Sequence, residues 1–396
     1  MDNQKLVVLA VGDLILGFPD MGKYFQAAKP LLRQGDITMG QIEAPHTRRG
    51  QWCSIESRSL PASDPDWLDE VAEAGFNVAT TAGNHSFDQG YYGVVDTLDK
   101  LHSLGIQTTG TGANISEARK PVLVEKNGVK LAILQCTCLG PDLSWATPTK
   151  AGANYIRVIT AYGTDLAEPG SMPEQVWTFP DPGTMNRFCE QVADLKEDGY
   201  FVIAAFHIGN MFTKQLLPYD IEITHRAIEA GADAVLSNHA HEPRGITTYK
   251  GKPIFHGLGN FVAFSNIQAS SPAHEELYRY RPHNWPGVQP TGWDLVGNAG
   301  GTVLEMSKAI IPNYVFTQDS RNTLIAKLVF TPEGLESTSF YPCYIDDDGV
   351  TVPVDRDGKG EDVLNHFKWL NEVEGLKAEF QWSDDGKEVI LKRGRR

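Results

Sequence analysis

The chain has 396 residues, 41% of them hydrophobic and 21% charged, and a formal net charge of −15. This ordinary globular usage excludes disorder, collagen and coiled coil, and the acidic balance excludes a general nucleic-acid or anionic-membrane binder. The length exceeds the roughly 250–300 residues at which one core stops growing, so two or three domains, or one large α/β domain with insertions, are expected.

Strand-like and helix-like runs alternate from the start. Lys5–Val11 is a short apolar run ending in Gly12-Asp13, and Asp36–Glu43 is a second strand. A helix over Asp66–Gly75 precedes a strand at Phe76–Thr81, and the unit repeats as helix Val94–Leu104 and strand Gly105–Thr109. Pro121–Glu125 and Val129–Gln135 flank Asn127-Gly128, which predicts a tight hairpin. Helix Met185–Asp198, strand Tyr200–Phe206, helix Tyr219–Ala230 and strand Asp233–Ser237 follow. A second hairpin, Ile246–Tyr249 with Pro253–His256, turns at Lys250-Gly251. The tail reads as strand Thr323–Thr331, helix Glu361–Glu372 and a strand pair near Ala378–Trp382 and Lys387–Lys392.

Such alternation predicts α/β layering with function at the carboxyl ends of the strands. A single domain over residues 1–396 is expected, with its core at about 5–264 and 323–345. Two stretches, 139–182 and 264–322, lack clear periodicity and read as insertions, lids or small subdomains; residues 361–396 add a helix and a strand pair. No leader and no apolar run of membrane-spanning length is read, and five cysteines without a pairing pattern suit a reducing compartment, so a cytoplasmic protein is expected.

Polar motifs stand at the strand exits. They are Gly12-Asp13, Glu43, Gly83-Asn84-His85 with Asp88, His207-Ile208-Gly209, and His239-Ala240-His241. Carboxylate, amide oxygen and imidazole gathered at one sheet edge suit Mn, Fe, Zn or Ni better than a pure Ca site. Taken singly, each motif has a bland explanation as turn chemistry or a core histidine; HxH is the most specific.

The ordered set GD, QIE, GNH with Asp88, HIG, HAH and the closing Gly259-Asn260-Phe261 resembles the CapA-type (poly-γ-glutamate capsule synthesis) proteins of the calcineurin-like metallophosphoesterase superfamily. The resemblance covers roughly residues 6–264 and implies a four-layer α/β/β/α sandwich holding one or two divalent transition metal ions, with Mn, Zn or Fe expected. Carried over, it implies Asp13 and His241 on one metal, Glu43 bridging, and Asn84, His207 and His239 on the other. It also implies His85 as the acid that protonates a leaving group, oriented by Asp88. Three positions depart from the pattern: Ile15 stands where phosphoesterases carry histidine, Gln41 replaces a common asparagine, and His207 is followed by Ile-Gly-Asn.

A metal-dependent hydrolase is therefore expected, acting on a small or oligomeric acidic substrate at a phosphoester or at an amide or ester such as a γ-glutamyl bond. The alternative is a non-catalytic anion-binding or capsule-assembly subunit that retains the fold. Arg244 and His46 are expected at the substrate, with Arg48, Arg49 and Arg58 as weaker candidates and Tyr278–Trp293 as a lid or interface. Neither nucleic acid nor membrane is an expected partner, and a homo-oligomer is left open.

Overall fold

The computed structural model describes residues 4–53, 60–163, 175–265, 311, 314 and 316–392. Arg58 and the 278–293 stretch lie outside these residues.

The sandwich strands in chain order begin with β1 (Leu6–Leu16), β2 (Ile37–Ile42), β3 (Val78–Thr80) and β4 (Gln107–Thr109). Next come β5 (Val122–Lys126), β6 (Val129–Thr137), β7 (Phe201–His207), β8 (Ala234–Asn238), β9 (Ile246–Tyr249) and β10 (Lys252–Phe255). The last are β11 (Asn260–Phe264), β12 (Asn322–Thr331), β13 (Gly334–Ile345), β14 (Thr351–Pro353), β15 (Glu379–Trp382) and β16 (Val389–Lys392). One sheet has ten strands in the order β15-β16-β13-β12-β1-β2-β3-β4, with β11 beside β1 and β14 beside β13. The other has six, in the order β9-β10-β8-β7-β6-β5.

Period-two alternation builds three apolar layers from these strands. Leu6, Val8 and Ala10 of β1 face Val129, Leu131 and Ile133 of β6 across the two sheets. The intervening Leu9 and Val11 pack outward with Leu32, Val71 and Leu101 from the helices α1 (Lys29–Leu32), α2 (Asp69–Ala74) and α3 (Gly90–Ser103). On the far side, Ala132, Leu134 and Cys136 pack outward against α4 (Pro182–Glu197) and α5 (Pro218–Glu229) through Met185, Phe188, Ile223 and Ala227. The result is helix on sheet on sheet on helix. The helix α6 (Glu361–Val373) sends Val363, Phe367 and Leu370 into the inter-sheet core itself.

Local chemistry explains the boundaries. Asp181 caps α4 by accepting the Thr184 amide at 2.8 Å, with Pro182 opening the helix. Asn127 and Gly128 both take positive φ, 55° and 76°, as the two-residue turn between β5 and β6 requires.

Several expectations change. The first strand does not end at Val11: it runs through Gly12-Asp13 to Leu16, because β11 pairs in parallel with residues 13–16 after β12 has paired with residues 6–10. The run 66–75 is a 3-10 turn, Pro65–Leu68, followed by the short α2. The stretch 139–182 is not without regular structure; Val158–Gly163 and Gln175–Pro180 form an antiparallel ladder. Among the described residues no helix is long and apolar enough to cross a membrane.

Candidate metal centre

The carboxyl ends of β1, β2, β7 and β8 meet at one edge of the sandwich, together with the loop after β3. Asp13 reaches this point because Gly12 lets the chain close on β11: a Cβ at Gly12 would lie 1.8 Å from the Gly259 carbonyl oxygen, and the Asp13 amide donates to that oxygen at 2.9 Å. Glu43 follows β2, His207 ends β7, and His239 and His241 follow β8. His239 and His241 have φ of 99° and 56°, a left-handed backbone rare for histidine and concentrated at functional sites.

Two groups of ligand atoms result, each within 4.8 Å: Glu43, His207 and His239 form one, and Asp13, Glu43 and His241 the other. Glu43 is common to both. His207 Nε2 lies 3.7 Å from Glu43 Oε1, 3.1 Å from His239 Nδ1 and 2.9 Å from Asn84 Oδ1. His241 Nε2 lies 3.6 Å from Glu43 Oε1, while its Nδ1 is 2.9 Å from Asn260 Oδ1. That contact occupies Nδ1 and leaves Nε2 toward Glu43.

Burial decides the electrostatics. Asp13, Glu43 and His207 are essentially inaccessible to solvent. Desolvation pushes the Asp13 carboxyl up to about 8, partly opposed by the hydrogen bond from the His239 amide. Glu43 is raised well above the carboxylate range by burial first, then by the charges of Asp13 and Asp88. Burial likewise keeps His207 and His239 neutral, well below the usual imidazole value, and lowers His241 to about 4. Their short contacts with carboxylates are therefore not ion pairs.

A cation is the chemistry that fits. Asp13 Oδ1, both oxygens of Glu43 and His207 Nδ1 are buried without a hydrogen-bond partner among the described residues. Two carboxylates and three neutral imidazoles sharing one pocket are an N/O donor set for a divalent transition metal. The unpaired oxygens are the cost such an ion would remove.

His85 stands beside this group. Its Nδ1 is 2.6 Å from Asp88 Oδ2. Asp88 Oδ2 is itself fixed by the Leu60 amide. The structure thus brings together Asp13, Glu43, Asn84, His207, His239 and His241, with His85 and Asp88 at the rim.

Two residues expected at the substrate are buried from solvent. Arg244 is completely buried: Nη1 bonds Asp220 Oδ2 at 3.0 Å, and Nη2 bonds the Asn210 carbonyl at 2.6 Å and Thr213 Oγ1 at 3.2 Å. It braces the loop after β7 rather than meeting solvent. His46 is also fully buried, with Nδ1 2.9 Å from its neighbour's carbonyl at Ala44, and burial lowers it to about 4. Arg48 is committed to Asp64 and Asp66, and Arg49 to Asp96.

Some neighbours were not anticipated. Phe316 packs on the His241 ring with centroids 4.6 Å apart, and Phe212 lies 6.1 Å away on the other loop. No motif announces them. Ile15, where a histidine would be expected in a phosphoesterase, is buried in the apolar layer beneath the helices and offers nothing to the site.

The chain is similar to several known proteins. A probable polyglutamine synthesis accessory protein of Mycobacterium tuberculosis is 27% identical over 303 residues, 65% of this chain and 74% of that one. The capsule biosynthesis protein CapA of Bacillus anthracis is 26% identical over 272 residues, 66% of this chain and 60% of its own. The PGA biosynthesis protein CapA of Bacillus subtilis is 25% identical over 239 residues, 60% and 56% of the two chains. A solved Plasmodium structure, GAP50, described as the anchor in the inner membrane complex, aligns over 97% of this chain and 99% of its own at 10% identity, with a TM-score of 0.32, too loose a likeness to build on. The model of the bacterial capsule synthesis protein PGA_cap matches residues 7–265, the span that holds every ligand-type residue above. The chain therefore belongs to that capsule synthesis family, of CapA type, and carries its metallophosphoesterase-like α/β/β/α sandwich.

Proposed function

We propose that this protein is a metal-dependent hydrolase of acidic substrates, cleaving a phosphoester or an amide or ester such as a γ-glutamyl bond. One observation carries the reading: two buried ligand groups share Glu43, and their carboxylate oxygens lack partners among the described residues. Asp13, Glu43 and His241 would hold one ion, and Glu43, His207, His239 and Asn84 a second, of the Mn, Zn or Fe kind. When bound, such ions lower the pKa of a water and polarise the oxygen under attack.

The chain's own residues do the rest. Asp88 holds His85 through Nδ1, so the imidazole presents Nε2 with a fixed ring orientation, ready to pass a proton to the leaving group. The Leu60 amide on Asp88 keeps that carboxylate from turning away. Asn260 fixes His241 in the same manner. An anionic small molecule or oligomer is the partner this chemistry suits, and five free thiols suit a reducing, cytoplasmic setting.

A second reading, a non-catalytic accessory subunit that holds an anion, draws on Ile15 being buried away from the site and on the accessory role named for the mycobacterial relative. Elemental analysis of the purified protein and of the double variant His239→Ala/His241→Ala comes first. One to two transition-metal ions per chain, lost in the variant, together with metal-dependent turnover in a panel of phosphoesters, esters and γ-glutamyl amides, would support the hydrolase; bound metal without turnover would favour the accessory reading. Failure of the wild type to take up metal would remove the hydrolase reading.

A further inference from the structure

The polar edge of the sandwich contains a second device, one that binds nothing itself. Along β2 the inner-face positions run Ile37, Met39, Gln41, and along β6 they run Val129, Leu131, Ile133, Gln135. Each series is apolar until it reaches a glutamine, which Thr137 follows on β6. Both glutamines are buried, at 0% and 1% exposure, where a polar side chain is costly unless every group is paired.

They are paired, to each other and to one loop. Gln135 Nε2 donates to Gln41 Oε1 at 2.6 Å and to the Ala82 carbonyl at 2.9 Å. Gln135 Oε1 accepts from the Thr81 and Ala82 amides, both at 2.7 Å. Gln41 Nε2 adds a bond to the same Ala82 carbonyl at 3.2 Å. Ser86 Oγ completes the set by accepting from the Gly83 amide at 2.7 Å and donating to the Thr81 carbonyl at 2.9 Å. Beyond the Thr81 amide's bond to the Thr109 carbonyl at 3.0 Å, the backbone that leads to Asn84 and His85 is therefore shaped by side chains. Gly110, at φ 110°, leaves the space this requires: a Cβ there would sit 2.1 Å from Gln135 Oε1.

The two glutamines belong to different sheets, and so do the ligands they serve. Gln135 lies beside Ala205 in the β6–β7 register, two residues before His207. The loop passes so near that a Cβ at Gly83 would be 3.3 Å from His207 Nε2. A displacement of the loop thus changes the 2.9 Å separation of Asn84 Oδ1 from His207 Nε2 directly.

We propose that Gln135, paired with Gln41, is a positioning residue that clamps the 81–84 loop across the two sheets and so sets Asn84 and His85 against His207 and His239. This inference rests on the metal-centre reading above and specifies which ligand group depends on the clamp. Gln41→Met and Gln135→Met each keep side-chain length and remove the amide.

The test is equilibrium titration of the purified full chain with Mn²⁺ alone, read by bound-metal analysis and by the EPR signal of a coupled Mn pair, with thermal unfolding recorded beside it. Wild type is expected to bind two ions, and Gln135→Met to weaken one step by about 10- to 100-fold, the range for loss of a residue that supports metal ligands, while the other step holds. The coupled-pair signal disappears with it. A general loss of packing would lower both steps together. Two unaltered steps in a folded Gln135→Met protein would overturn the clamp and leave the hydrolase reading standing. If that variant does not fold, Gln41→Met decides by the same ratio of steps. If the wild type takes up no Mn²⁺, the titration is repeated with Zn²⁺ and Fe²⁺; if none of the three binds, the hydrolase reading fails, and amide exchange at Asn84 and His85 judges the clamp: acceleration in Gln135→Met supports it, and no change overturns it.

Discussion

Replacing Arg244 by methionine separates a buried brace from a substrate contact. The guanidinium is fully buried, and its partner Asp220 has a side chain only 3% exposed. Methionine retains much of the stem's volume but leaves the carboxylate without its cation and the Asn210 carbonyl without its donor. Removing one member of a buried pair costs about 3–5 kcal/mol, against at most about 1 kcal/mol for an exposed pair. The Asp220 carboxyl is already raised by burial, with Arg244 opposing the rise, so losing Arg244 raises it further. Protonation then relieves the variant: its stability deficit should grow as the pH rises and shrink as the pH falls. Urea unfolding at several pH values measures this. The double variant Arg244→Met/Asp220→Leu should recover most of the loss, because an apolar pair of similar volume replaces the ions without an orphan. A deficit below about 1 kcal/mol, accompanied by a raised KM, would refute the argument and return Arg244 to the substrate.

Three further outcomes are expected. His85→Asn should retain its metal and lose about 10²- to 10⁴-fold in kcat, the usual worth of a positioned proton donor, as measured by turnover beside elemental analysis. Metal uptake at pH 7 should release about one proton or more, because burial raises Asp13 to about 8 and raises Glu43 as well, whereas it already keeps the site imidazoles neutral. Calorimetric titration in buffers of different ionisation enthalpy counts those protons, and the release from Asp13 should fade above pH 8. Gly12→Ala should destabilise by about 1–3 kcal/mol or more, since its Cβ would overlap the Gly259 carbonyl, and the metal content of the folded fraction should fall with it.

Much of this architecture was legible because its signals are local. Alternation along LAILQ places Leu131 and Ile133 inward and Ala132 and Leu134 outward, and Asn127-Gly128 encodes its own turn. The strand exits bearing Glu43, His207 and HxH are likewise local patterns, and the structure gathers them with Asp13, which lies inside β1 rather than at its exit. What could not be read depends on partners remote in sequence. The strand β13 carries Glu336, Ser337 and Pro342 within it and has no clean alternation; it forms because β12 pairs with it along nearly its whole length. Arg244 stands three residues after His241, yet adjacency along a loop does not reveal which way a side chain is aimed; Asp220, on a separate helix, settles that. Gln135 could have been found: an amide following an apolar inner-face series demands a partner.

The exchange of neighbours along β1 has a bearing on how the protein is made. Residues 6–10 of that strand pair with β12, and residues 13–16 pair with β11, so the strand holding Asp13 is finished only when segments from 260 and from 322 onward arrive. A ribosome delivers Asp13 more than 240 residues before its β11 neighbour, so β1, paired early only with β2, waits through that interval with its other edge open. Pairing so distant in sequence is slow to form. Any ion taken by these ligand groups would therefore be loaded only after β11 and β12 are in place, and a chain truncated before β11 carries the candidate ligands of β1, β2, β7 and β8 without the register that holds them together.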